Sequence, residues 1–164
     1  MKGQSAAEYV ITYGWAILAL TIVIAALLAS GVLSPNYMIS EECNLGSNMP
    51  CTFIVFNEEG KTKMNIAIQN GFPYKINISR LEVKLTETGQ SFDFENMAPA
   101  VIESGASTTY KGTLNGGQLP QGSIKRFSAS VEYYSCAPEI SEGGGCSTSK
   151  HTISGKIVAR IVSK

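Results

Sequence analysis

The side chains in this sequence that could do chemistry are few and scattered. Cysteines stand at Cys43, Cys51, Cys136 and Cys146, the lone histidine is His151, and Asp93, Glu95 and Glu103 are candidate carboxylates. A zinc knuckle places two residues between paired cysteines. Here seven residues separate the first two cysteines and nine the second two, so no metal site is expected. The three acids are spread through strand and turn sequence without a convincing pair. His151 has no nucleophile elbow to serve, and Gly143-Gly144-Gly145 is followed by no Lys-Ser/Thr that would make it a phosphate loop. We therefore expect neither an enzyme nor a cofactor. The acid in the oddest place is Glu8. No Asp, Glu, Lys, Arg or His follows it until Glu41.

The element that must position Glu8 is the run Val10–Leu33, uncharged and rich in Ala, Leu and Ile. Its length is about 24 residues, or roughly 36 Å as a helix, enough to cross a hydrocarbon core of about 30 Å. A helix apolar on every side belongs in lipid or in a protein interior. It is also longer than the core of a cleaved secretory signal, and no clear small-x-small site follows it. Gly14 and Gly31 interrupt the helix formers and permit close packing or local unwinding. Tyr9, Tyr13 and Trp15 suit a membrane interface, and Ser34-Pro35 should stop the helix.

The segment Lys2-Gly3-Gln4-Ser5-Ala6-Ala7-Glu8-Tyr9 with the apolar helix behind it resembles the class III signal of archaeal type IV pilin-like proteins. The resemblance covers about the first tenth of the chain, and Ala6 stands where that family often has Ser. It implies cleavage by a prepilin peptidase between Gly3 and Gln4, which leaves Gln4 as the new N-terminus. It also implies an assembly ATPase and a membrane platform protein as partners. The new α-amine at Gln4 would be a cation, and a buried cation needs a partner. Glu8, one helical turn away, is the acid that could neutralise it in its own chain or a neighbour, so Glu8 and Gly14 are the assembly candidates.

Beyond the helix the hydrophobic period changes to two. Met64, Ile66 and Ile68 alternate with polar residues, as do Leu81, Val83 and Leu85, then Phe127, Ala129, Val131 and Tyr133, and finally Ile153, Gly155, Ile157, Ala159 and Ile161. Cys51–Phe56, Gln90–Phe94 and Ser107–Leu114 are further strands. Ile76 and Ile78 have the opposite parity to Leu81, which predicts a bulge at Ser79-Arg80 or two strands there. Seven or eight strands over about 130 residues fit a β-sandwich, and the family resemblance implies an immunoglobulin-like one. Outside the cell, the cysteines would form two disulfides. Of three connectivities, Cys43–Cys51 with Cys136–Cys146 is favoured because each closes a short loop. Asn77-Ile78-Ser79 is a sequon for glycosylation at Asn77.

The expected class is thus α+β: a long N-terminal apolar α-helix followed by an all-β, immunoglobulin-like β-sandwich domain. The expected divisions are 1–3 leader, 4–34 helix and 35–164 extracellular domain. Net charge is zero, with 13 basic and 13 acidic residues and no basic cluster, so nucleic acid is not an expected partner. The resemblance points to a structural subunit that resides in the membrane as a precursor. It would then polymerise with copies of itself into a surface filament, with adhesion the expected use. The alternative is an anchored extracellular binding domain that never polymerises.

Overall fold

The computed structural model describes residues 4–30, 39–95, 100–139 and 145–164, with the side chains of 4–10, 12 and 100 outside the description. The chain divides into two compact units, Met1–Ile39 and Ser40–Lys164. The first holds α1, Gln4–Ala29, 26 residues and roughly 39 Å long. At its end the Ser30 amide donates to the Ala26 carbonyl at 2.9 Å. Residues 31–34 of the expected helix 4–34 lie outside the described ones. Gly31, Leu33 and the stop at Ser34-Pro35 lie outside the described residues, as do Lys2 and Gly3.

Among the described residues the second unit holds nine strands: β1 (Glu42–Asn44), β2 (Cys51–Glu58), β3 (Lys61–Gln69), β4 (Ile76–Leu85), β5 (Phe92–Glu95), β6 (Ala100–Ile102), β7 (Ser107–Leu114), β8 (Ile124–Ser135) and β9 (Lys150–Ser163). With the helix, the class is α+β with a β domain. β1 and β6 were not expected. At three residues each they are too short for a period of two to show.

The strands form a hydrogen-bonded path β5-β7-β3-β2-β9-β8-β4-β6, with β1 also on β9. β9 links the two halves. Lys150 to Arg160 pairs antiparallel with β8, and Ile161 to Ser163 runs parallel to β2. The path folds back on itself, because Phe92 of β5 meets Phe127 of β8 edge-on at 5.6 Å. A bridge between Lys84 and Ser91 links β4 to the residue before β5. Both halves therefore drain into one core, in which Met64, Ile66 and Ile68 of β3 share a cluster with Val83, Phe127 and Ile157. This is the alternation of the sequence made physical: inward residues buried, outward ones half-buried or exposed.

Local chemistry fixes the details. The β2–β3 hairpin turns on Glu59 and Gly60 with φ of 53° and 73°, flanked by the pair Glu58↔Lys61. Two central residues at positive φ match the right-handed twist of the strands. β4 is one strand with a register shift between Ile78 and Arg80, so Ile78 and Leu81 both point inward and both are buried. Buried Asn70 ties two loops together: its Nδ2 donates to the carbonyls of Tyr74 and Ile102, and its Oδ1 accepts from the Phe72 amide. Disulfides join Cys43 to Cys51 and Cys136 to Cys146. The first ties β1 to β2, and the second closes the β8–β9 connection. Such bonds persist in oxidising surroundings, which places the β domain with extracellular or secreted proteins.

Candidate functional site: the apolar helix

On α1 the large apolar side chains from Ile11 to Leu28 are exposed around the whole circumference, from 42% at Leu27 to 71% at Trp15. Two hydroxyls bond back to the helix backbone. Thr21 Oγ1 donates to the Leu18 carbonyl and Ser30 Oγ to the Leu27 carbonyl, each at 2.8 Å. This removes polar hydrogens from the helix surface, as an apolar neighbourhood demands. Gly14 has open space where a Cβ would sit. Ile11, Trp15 and Leu18, its neighbours at −3, +1 and +4, border a notch there of about 250 Å³.

Gln4 is the first residue of α1, and Glu8 lies four residues on in the same helix. Their side chains lie outside the described ones, as does Gly3, so the pairing of amine and carboxylate has no geometry here. Side chains are described without interruption from Tyr13 to Ala29. Among the described residues no helix is long and apolar enough to cross a membrane. The expected span, Val10–Leu33, extends beyond them.

The structure keeps the other candidates apart. Asn77 is half-buried in β4 between Val101 of β6 and Tyr134 of β8. Its Oδ1 is buried with no partner among the described residues. His151 is exposed on β9, its ring 5.4 Å from that of Tyr133. Tyr133 faces inward and is buried, whereas Tyr134 is only half-buried. Burial, and then the neighbouring Tyr74, raise the Tyr133 phenol above its ordinary value. Asp93 and Glu95 point outward from β5, while Glu103 lies in the turn before β7. Among the described residues no group of His, Cys, Asp and Glu could hold a metal ion.

One cluster escaped the sequence reading. Glu58 accepts from Lys164 Nζ at 2.7 Å and from Lys63 Nζ at 2.8 Å. Those hydrogen bonds, Lys164 first, hold its carboxyl at about 2, well below the ordinary 4.5. Lys164 also sits 5.4 Å from the Phe56 ring centroid. Its members come from β2, β3 and the residue after β9, and no linear spacing announces them.

No family model matches this chain, and no curated protein matches it closely enough to count as a relative.

Proposed function

We propose that this protein is a structural subunit of an archaeal type IV pilus-like surface filament, assembled through α1 and used for adhesion. The observation that carries the reading is the helix itself: apolar and exposed on every side, the Thr21 and Ser30 hydroxyls bonded back to its carbonyls, uncharged from Tyr9 to Ala29. Such a surface demands lipid or other copies of the same helix. Lipid would hold the precursor, and helix packing would hold the filament, with van der Waals contact as the stabilising term once lipid is the reference state. The two disulfides support an outward-facing domain. Two groups of strands closing over one core, joined through β9, support the immunoglobulin-like sandwich.

In this mechanism a prepilin peptidase cuts between Gly3 and Gln4. The assembly ATPase and platform then drive subunits from the membrane, and Glu8 neutralises the new amine as the helices leave lipid. The test is the intact mass and N-terminal sequence of the protein from its native envelope, with electron microscopy of the same cells. A chain beginning at Gln4 and filaments lost on deletion are expected. Glu8→Ala should be processed normally yet assemble poorly. A start near Gly31, an uncut Met1, or abundant normal filaments from Glu8→Ala would each refute the corresponding step. A processed chain without filaments would instead make it an anchored binding domain.

A further inference from the structure

The chain enters the β domain through β1, and any pull on the domain from its N-terminal side arrives there. β1 lays three residues against β9, with Glu42, Cys43 and Asn44 opposite Val158, Ile157 and Lys156. Two ion pairs flank this short ladder, Glu42 with Lys156 at 2.7 Å and Glu41 with Arg160 at 4.0 Å. All four side chains are more than a third exposed, so the pairs add little. Next come Leu45 and Met49, both buried in the core. Their segment is held by a few backbone bonds: the Met49 amide donates to the Gly46 carbonyl, the Gly71 amide to the Asn48 carbonyl and the Gln69 amide to the Pro50 carbonyl. Pulled from one end, such a segment gives way contact by contact, and unseating Leu45 and Met49 would leave two holes in the core.

The Cys43–Cys51 disulfide spans this segment, with Leu45 and Met49 both inside the loop it closes. Its Cα atoms stand 5.7 Å apart, whereas the backbone between them could stretch to about 28 Å. Beyond Cys43 a pull therefore takes the short covalent route, and 44–50 stays slack. The far end of that route is firm. Cys51 opens β2, which pairs with β3 along all 8 of its residues and with β9 from Val55 to Asn57. The other disulfide, Cys136–Cys146, lies between β8 and β9 and is not on this route.

We propose that Cys43–Cys51 is a tension by-pass. It passes a pull on the N-terminal segment straight to β2, so that the β1 ladder can yield while Leu45 and Met49 keep their places. Without the bridge, the same pull strips 44–50 from the core before any long strand is engaged. The tension has a source only if the helix anchors the chain, and to that extent the inference rests on the reading above. An anchored domain that holds a surface is pulled between the two, whether or not it polymerises.

The experiment is a force clamp on the full-length protein in detergent, gripped by enzymatically attached handles at its two termini. The force is set below the point at which the oxidised domain unfolds. A small dithiol is then added, which reduces the bridge and is itself oxidised to a cyclic disulfide. A single step of roughly 20 Å is expected as 44–50 joins the stretched chain, at a rate that rises with the clamp force. The Cys136→Ser/Cys146→Ser variant should give the same step. The Cys43→Ser/Cys51→Ser variant should give none, and should instead lengthen by that amount at a force the oxidised protein withstands. No step in the native protein overturns the proposal, since Leu45 and Met49 would then hold the segment unaided. A rate indifferent to force does so too, because the bridge would carry no tension, and so does loss of the step in Cys136→Ser/Cys146→Ser. The native protein is folded before the dithiol arrives, so poor folding of Cys43→Ser/Cys51→Ser leaves the test intact. A mature chain lacking its helix would overturn the anchored reading and leave these traces as they are.

Discussion

Glu58 stands at the end of β2 with two ammonium groups within 2.8 Å, and this gives the β domain a pH signature. Its folded carboxyl is depressed from 4.5 to about 2. A depressed acid contributes stability that is present in full above its unfolded value and disappears as pH falls through the folded one. The window is therefore about 4.5 down to about 2. The side chains are partly solvated, so the contribution is modest and screened by salt. Glu58→Gln is expected to flatten the pH dependence of the unfolding midpoint across that window while leaving its slope above pH 5 alone. An unchanged acid limb would show that the two lysines do not hold the carboxylate in solution. Lys63 moves the other way, its ammonium held above the usual 10.5 chiefly by Glu58.

At the scale of elements, the critical contact is between β1 and β9. A Cβ on Gly155 would run into the Asn44 carbonyl and the Leu45 Cα. The absence of a side chain there lets the chain pass closely over β9 and bury Leu45 and Met49 in the core. Gly155→Ala is expected to cost about 3 kcal/mol in chemical denaturation, at the upper end for overpacking, because backbone must yield. A loss under about 1 kcal/mol would mean that β1 shifts freely. The same position shows what a sequence can disclose. The inward parity of Gly155 is readable from sequence, since it needs only the period of its neighbours. Its partner Asn44 belongs to a three-residue strand with no period of its own. The break at Ser79-Arg80 is legible because parity reverses there, while only the structure shows that it lies within one strand rather than between two. The Glu58–Lys164 contact joins residues 106 apart. The geometry at Glu8 is the part of the candidate site still carried by the sequence alone.

At the scale of the molecule, the two units obey different solvation rules. The core cluster lies wholly within Ser40–Lys164, and α1 presents apolar surface throughout. A fragment spanning 40–164 is thus expected to be a soluble monomer with cooperative unfolding, while the full chain needs detergent. Sedimentation and chemical denaturation check this. Aggregation of the fragment would show that the helix is part of what folds the domain. Reduction should lower the fragment's stability by about 2–3 kcal/mol for each short disulfide loop opened. The place of β9 also sets an order in time. It is the last in chain order of the nine described strands, and it carries the hydrogen-bonded path from one half to the other. Hairpins such as β2–β3 can form early from local contacts, but closure waits on pairings between distant parts of the chain, which are slow to find. Until β9 emerges, β8 lacks the longest of its pairings and β2 one of its two neighbours. For a domain whose two disulfides suit an extracellular setting, late pairing with β9 would keep the chain open during export.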